Sequence, residues 1–140
     1  MTTTAPDVEQ QIRIDAPPET VWAFWTRPDR LCEWWGTAEA VAEVGGAFVG
    51  TMESGGVMRG EYVTLDAPHR LEFTFGWDDG GPGGHVAPGS TRVEVTLERD
   101  GDATVLTLRH FDLSVEAAAS HADGWTYHLA RLAASAVAEA

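Results

Sequence analysis

The most restrictive feature of this sequence is an alternation of apolar and polar residues with a period of two, from about residue 39 to residue 111. Such alternation is typical of β-strands that bury one face, and short turns between successive strands favour antiparallel pairing. Five turn signals divide the alternation: Gly45-Gly46, 54–56, 67–69, 78–90 and 100–102. The sequence therefore predicts a meander of six antiparallel strands with one apolar face.

Helical patterns flank this meander on both sides. Before it, a short strand at 11–14 is followed by two short helices, of which the first begins at Pro17-Pro18 and the second ends at Gly36. After it, an alanine-rich stretch carries Trp125, Leu129 and Leu132 on one side of a helix. These elements predict an α+β fold in which a curved antiparallel sheet wraps around a long C-terminal helix.

Length and charge limit the domain count and the partners. The 140 residues fit a single domain, for which we expect bounds of 9–140 after a disordered lead-in at 1–8. The formal net charge is −13, and all positive residues are arginines that form no cluster. Because this field repels phosphate groups, the sequence predicts neither nucleic-acid binding nor attraction to anionic membranes.

Two further features concern the compartment. No stretch approaches the roughly 20 apolar residues of a membrane-spanning helix, and the first eleven residues lack the pattern of a signal peptide. Cys32 is the single cysteine, which excludes an internal disulfide and is compatible with a reducing compartment. We therefore expect a cytoplasmic protein with no membrane insertion.

Seven short motifs, in a fixed order along nearly the whole chain, resemble the START-like (SRPBCC) superfamily of helix-grip domains. The similarity is greatest to the branch related to the Aha-type activators of a heat-shock chaperone ATPase. The motifs are Ala16 to Trp22, Leu31 to Gly36, Gly45 to Phe48, Gly60 to Val63, Ala67 to Thr74, Thr104 to Phe111 and His121 to Trp125. The resemblance implies a cavity between the sheet and the last helix. It implies function only loosely, because related domains include lipid carriers, polyketide cyclases and aromatases, resistance proteins and chaperone activators.

Strand parity suggests which polar residues face this cavity. If Val63 and Leu65 point inward, Arg59 and Glu61 do so too, and the same reasoning places His110 inward. A buried charge is costly unless it is paired, so Arg59 and Glu61 would pair with each other or meet a polar ligand group. Both could instead reach solvent near a strand end, and a bulge near Gly60 would change the parity.

Two histidines share a stripe of the last helix with Trp125 and Leu132, and this stripe is predicted to face the sheet. His121 and His128 would then point at the same cavity as His110. A neutral imidazole can exchange a proton near pH 7, as a cyclisation or dehydration of a polyketone requires, but it can also be satisfied by a backbone carbonyl and serve packing alone. No zinc-binding spacing is present, so we predict no metal and no cofactor.

Aromatic residues are expected to form the cavity walls and to suit a flat or polycyclic ligand. The glycine-rich segment 78–90 is long for a hairpin connection and is predicted to be a mobile lid, or else a tolerated insertion. The residues predicted to bind the ligand are Trp34, Trp35, Phe48, Met58, Arg59, Glu61, Phe73, Phe75, Trp77, His110, His121, Trp125, His128 and Leu129.

Three functions remain open at this point. The first is binding of a small, largely apolar molecule, with Arg59, Glu61 and His110 orienting it. The second is a cofactor-independent cyclase or aromatase, for which the catalytic candidates are His110, His128, Arg59 and Glu61, with Arg59 stabilising an enolate oxygen. The third, which the length of the chain disfavours, is interaction with a chaperone. The sequence leaves open whether the protein forms a homodimer.

Overall fold

The computed structural model describes residues 5–53, 55–81 and 86–139. Within these residues, seven strands form one antiparallel sheet in the order β1-β7-β6-β5-β4-β3-β2. The strands are β1 (Val8–Ile14), β2 (Thr37–Ala40), β3 (Ala47–Thr51), β4 (Val57–Asp66), β5 (Arg70–Phe75), β6 (Thr91–Asp100) and β7 (Ala103–Phe111). Strands β2 to β7 are sequential neighbours, so the predicted six-strand meander is confirmed.

Three helices complete the fold: α1 (Pro18–Thr26), α2 (Pro28–Leu31) and α3 (Val115–Glu139). Both short helices begin at a proline, whose fixed φ suits the first helical turn. The amide of Ala117 donates to the Ser114 hydroxyl at 3.1 Å, and this contact satisfies one of the unpaired N–H groups at the start of α3. No helix in the described ranges has the length and apolarity needed to cross a membrane.

The core lies between the apolar face of the sheet and α3, with α1 at one end. On β6, buried Val93, Val95 and Leu97 alternate with partly exposed residues, as the period of two predicts. On α3, Trp125 and Leu132 are buried. The predicted helix-grip α+β fold is therefore confirmed.

The first strand is longer than the sequence indicated. Residue Val8 is buried and pairs with His110, so β1 begins inside the predicted lead-in of residues 1–8 rather than at Gln11. Residues 1–4 lie outside the described residues. The apolar face of β1 explains the extension, because Val8 and Ile14 both bury their side chains.

The predicted inward orientation of Arg59 and Glu61 is wrong. The buried residues of β4 are Met58, Gly60 and Tyr62, so Arg59 and Glu61 point outward, and Val63 is 44% exposed. The pairing of β4 with β5 shifts by one residue between Tyr62 and Thr64, so Leu65, which pairs with buried Leu71, does not share a face with Arg59 and Glu61.

Arg59 has a partner on the outer face instead. Its guanidinium donates two hydrogen bonds to the Asp78 carboxylate, at 2.9 and 3.0 Å. The hydrogen bonds and charge of Arg59 lower the pKa of Asp78 below its usual value. With Glu61, Arg59 lines a depression of about 450 Å³ on the outer side of the sheet, away from α3.

Candidate functional site

An inner cavity of about 210 Å³ lies between α3, β5 and the segments that follow α2 and β3. Its walls are Trp35, Met52, Phe75, Trp77, Ser120, His121, Gly124, Trp125 and His128. An outer cavity of about 570 Å³ adjoins it and shares Trp35, Met52 and His128. The remaining walls of the outer cavity are Cys32, Gly36, Thr37, Thr51, Glu53, Tyr127 and Arg131.

Four aromatic rings form most of the inner wall. The indoles of Trp35 and Trp125 are stacked, with ring centroids 5.1 Å apart and an interplanar angle of 20°. The ring of Phe75 lies 5.9 Å from Trp125 and meets Trp77 edge-on at 5.5 Å. These offset and edge contacts are the favoured aromatic geometries, so the walls hold one another in place.

Glycine at position 50 is required for the position of Trp35. A Cβ atom on Gly50 would lie 2.2 Å from the Trp35 indole nitrogen, which is closer than any real contact. The indole therefore packs directly on the backbone of β3. Its N–H group is buried and has no hydrogen-bond partner among the described residues.

Gly124 opens the helical wall of the inner cavity. A Cβ atom at this position would meet no heavy atom of the described chain within 4 Å. Glycine in the middle of a helix lowers helix stability by about 0.5–1 kcal/mol relative to alanine. Here the missing side chain leaves space beside Trp125 and His128.

His121 connects α3 to Trp77, which lies two residues after β5. Its Nδ1–H donates to the Ala117 carbonyl at 2.7 Å, so the opposite nitrogen, Nε2, is an acceptor. The Trp77 indole N–H donates to that Nε2 at 3.0 Å. Burial lowers the pKa of His121, which favours the neutral ring that this bond requires. Trp77 is thereby fixed over the inner cavity.

His128 stands at the boundary of the two cavities with one nitrogen available. Its Nδ1–H donates to the Trp34 carbonyl at 3.0 Å, which leaves the lone pair on Nε2. No partner for Nε2 occurs within the described ranges. Burial lowers the pKa of His128, outweighing the hydrogen bond to Trp34. The ring is therefore a neutral acceptor near pH 7, and it can accept a proton or a hydrogen bond from a bound molecule.

His110 is inward, as predicted, but it does not line either cavity. Its Nδ1 accepts the Trp125 indole N–H at 3.1 Å and its Nε2–H donates to Thr91 at 2.8 Å. Thr91 in turn donates to the Phe75 carbonyl at 2.7 Å. Burial and the neighbouring His121 lower the pKa of His110 to about 3. With both nitrogens occupied, His110 supports the cavity wall instead of facing a ligand.

Sequence comparison identifies the family of this chain. The profile of the family described as Activator of Hsp90 ATPase homolog 1-like protein matches residues 15–136. The chain belongs to this family. A comparison with curated proteins finds no match.

Solved structures share the fold of this family member. Protein MLL2253 from Mesorhizobium loti aligns with a TM-score of 0.81 at 22% identity, over 91% of this chain and 94% of that one. DynU16, described as a protein of the dynemicin biosynthetic locus, aligns with a TM-score of 0.76 at 25% identity, over 91% of this chain but 45% of its own. The Aha1 dimer from Colwellia psychrerythraea aligns with a TM-score of 0.74 at 20% identity, over 90% and 92%.

Six of the residues predicted to bind a ligand come together around the inner cavity: Trp35, Phe75, Trp77, His121, Trp125 and His128. The others lie elsewhere in this family member. Phe48, Met58, Phe73 and Leu129 are core residues, and Trp34 is buried with its indole donating to the Phe24 carbonyl at 2.7 Å.

The sequence reasoning missed Met52, Ser120 and Gly124. Helical spacing could have revealed Gly124, because it lies three residues after His121 and four before His128 on one face. Met52 follows β3 in an irregular segment that has no periodicity to detect. The predicted lid at 78–90 includes residues 82–85, which lie outside the described residues.

Proposed function

We propose that this family member binds a small, flat, largely apolar molecule whose ring system occupies the inner cavity and whose polar end reaches the outer cavity. The observation that carries this proposal is the combination of four aromatic walls with an open helical wall at Gly124. Aromatic faces bind flat apolar groups by offset stacking, and the few polar groups in such a pocket orient the ligand. His128 supplies one such group.

The volumes of the two cavities indicate which part of a ligand each would hold. Sites for drug-sized ligands usually measure about 300–1,000 Å³, so the inner cavity of about 210 Å³ suits only a small ring system. Any remaining part of the molecule would extend past His128 into the outer cavity. Aromatic or polyketide-like molecules with one polar end have this shape.

Two measurements test the binding proposal. Native mass spectrometry of freshly purified protein would give the mass of a retained molecule. In parallel, the neutral dye N-phenyl-1-naphthylamine is titrated while its fluorescence is followed. We expect saturable binding to the natural protein and a loss of at least about tenfold in affinity for Gly124→Leu, whose side chain fills the cavity.

Ala130→Leu is the matched control, because Ala130 lies on the exposed side of the same helix. It should leave dye binding unchanged. Equal dye affinities of the natural protein and Gly124→Leu, with both folded, would show that the inner cavity is not the binding site.

A specific observation also favours an enzymatic role on the same scaffold. The Nε2 atom of His128 has the geometry of a general base: it is fixed by the Trp34 carbonyl, and its lone pair is not used within the described residues. It could remove a proton next to a ligand carbonyl, as an aldol cyclisation requires. The predicted role of Arg59 in stabilising an enolate does not fit its place on the outer face.

The test of this second function is turnover of the molecule that native mass spectrometry identifies. His128→Gln should abolish turnover while leaving the affinity for the ligand within a few-fold of the natural value. His110→Gln should lower turnover only by reducing the stability of the folded protein. Undiminished turnover in His128→Gln would exclude the enzymatic role of this residue.

An activator role, as in the family description, would instead require a stable complex with Hsp90 and a raised ATPase rate.

A further inference from the structure

Arg131 is the single cationic side chain in the described walls of either cavity. It lies on α3 three residues after His128, and side chains with this spacing are neighbours on a helix face. The outer cavity thus has a positive charge beside His128, where the aromatic walls of the inner cavity end. In a protein with a net charge of −13, this is a local exception to the prevailing field.

The guanidinium of Arg131 lies over the Tyr127 ring, 5.6 Å from its centroid, and makes its hydrogen bond through Nη1. Its Nη1 donates to the Tyr127 hydroxyl at 3.1 Å and lies 3.5 Å from the Glu53 carboxylate. Neither Nη2 nor Nε makes a hydrogen bond in the part of the chain that the structure describes. The N–H groups on this edge of the planar guanidinium can donate two parallel hydrogen bonds to one carboxylate.

The partner acid is poorly anchored. The Glu53 side chain is 85% exposed, against 37% for Arg131, and their separation of 3.5 Å is the longest among the ion pairs of the described residues. Exposed pairs of this kind contribute little, because both groups stay hydrated and flexible. An incoming carboxylate can therefore replace or join Glu53 at Arg131 at small cost.

We infer that the preferred ligand is an aromatic carboxylate, with its rings in the inner cavity and its carboxylate on the Nη2 and Nε edge of Arg131. This inference rests on the proposed binding function and specifies the ligand class. Three residues that line the cavities follow in order along α3. Gly124 provides space for the rings, His128 lies at the boundary of the two cavities, and Arg131 binds the carboxylate. Tyr127 orients the guanidinium through its hydroxyl.

The test uses two probes of equal shape and different charge, 2-naphthoate and naphthalene-2-carboxamide, measured by isothermal titration calorimetry at neutral pH. We expect the natural protein to bind the carboxylate about tenfold or more tightly than the amide, which is the effect of a charge-assisted bidentate contact. Arg131→Gln should weaken only the carboxylate and bring the two affinities together. Glu53→Gln should strengthen the carboxylate by a few-fold, because it removes the competing acid.

Arg99→Gln is the control for a general loss of positive charge, since Arg99 pairs with Glu19 on the surface and lines neither cavity. It should preserve the preference for the carboxylate. Equal affinity of the natural protein for both probes, or an undiminished preference in Arg131→Gln, overturns the carboxylate assignment while leaving the binding proposal intact. Failure of both probes to bind, together with failure of the neutral dye, overturns both.

Discussion

At the scale of single residues, Gly124 shows a conflict between helix stability and cavity volume. It occupies the interior of a 25-residue helix, where alanine is strongly preferred, and the surrounding sequence is rich in alanine. No packing contact explains the glycine, because a Cβ atom would meet nothing within 4 Å among the described residues. The missing side chain instead adds open space to the inner cavity, which Gly124 lines.

Replacement of Gly124 by alanine should therefore stabilise the protein. We expect the free energy of unfolding to rise by about 0.5–1 kcal/mol, because alanine restricts the unfolded backbone and causes no clash. Urea denaturation measures this change, and dye binding should weaken only slightly. A decrease in stability would contradict the open space assigned to this position.

The burial of His110 makes the free energy of unfolding depend on pH. In the unfolded chain its pKa is near the ordinary 6.5, whereas burial in the fold lowers the pKa to about 3. Between these two values unfolding takes up a proton, so the free energy of unfolding falls as the pH is lowered. The contribution is complete above pH 6.5 and is lost progressively toward pH 3, by about 1.4 kcal/mol per pH unit.

His110→Gln should reduce this slope, because glutamine does not titrate. Urea denaturation between about pH 4.5 and pH 8 compares the slopes of the two proteins across the window set by the histidine. Parallel curves for His110→Gln and the natural protein would contradict the neutral, buried state of His110.

At the scale of elements, β4 shows where the sequence did not predict which side chains face the core. Val63 and Leu65 suggested one inward face, but the fold buries Met58 and Tyr62 and exposes Val63. Tyrosine is buried here because its hydroxyl finds a partner on α1, a contact that lies 37 residues away in sequence. By contrast, α3 was predicted well, because a helical stripe depends only on spacing within one element.

That hydroxyl is also the link between β4 and α1. Tyr62 donates to the Trp25 carbonyl at 2.8 Å, and burial raises the pKa of the phenol well above its usual value, so it stays protonated. Tyr62→Phe should lower the free energy of unfolding by about 1–2 kcal/mol, because a buried carbonyl loses its donor. Tyr127→Phe, at a residue 56% exposed, should change it by less than about 0.5 kcal/mol in the same urea titration. Equal effects would show that the bond to α1 contributes nothing.

At the scale of the whole molecule, charge has two opposing effects on stability: attraction within ion pairs and repulsion among the acidic residues. All nine arginines take part in ion pairs, and the outer face of the sheet carries a connected set: Arg70, Glu72, Arg92, Glu94 and Arg109. Glu72 lies directly opposite Glu94 in the register, and the three arginines compensate for this repulsion. Such pairs stabilise locally, while the 22 acids repel one another across the whole surface.

We expect the repulsion to be the larger effect. Most of the ion pairs are exposed and worth at most about 1 kcal/mol, whereas a net charge of −13 acts over the full dimensions of the fold and is relieved by unfolding. Raising NaCl from about 0.01 M to about 1 M shortens the screening length from about 30 Å to about 3 Å, so the melting temperature at neutral pH should rise. At pH 4.5, close to the isoelectric point of about 4.5, the net charge is small and the same addition of salt should raise the melting temperature much less. A melting temperature that falls with salt at neutral pH would instead show that the arginine pairs on the sheet dominate, since screening would then remove more attraction than repulsion.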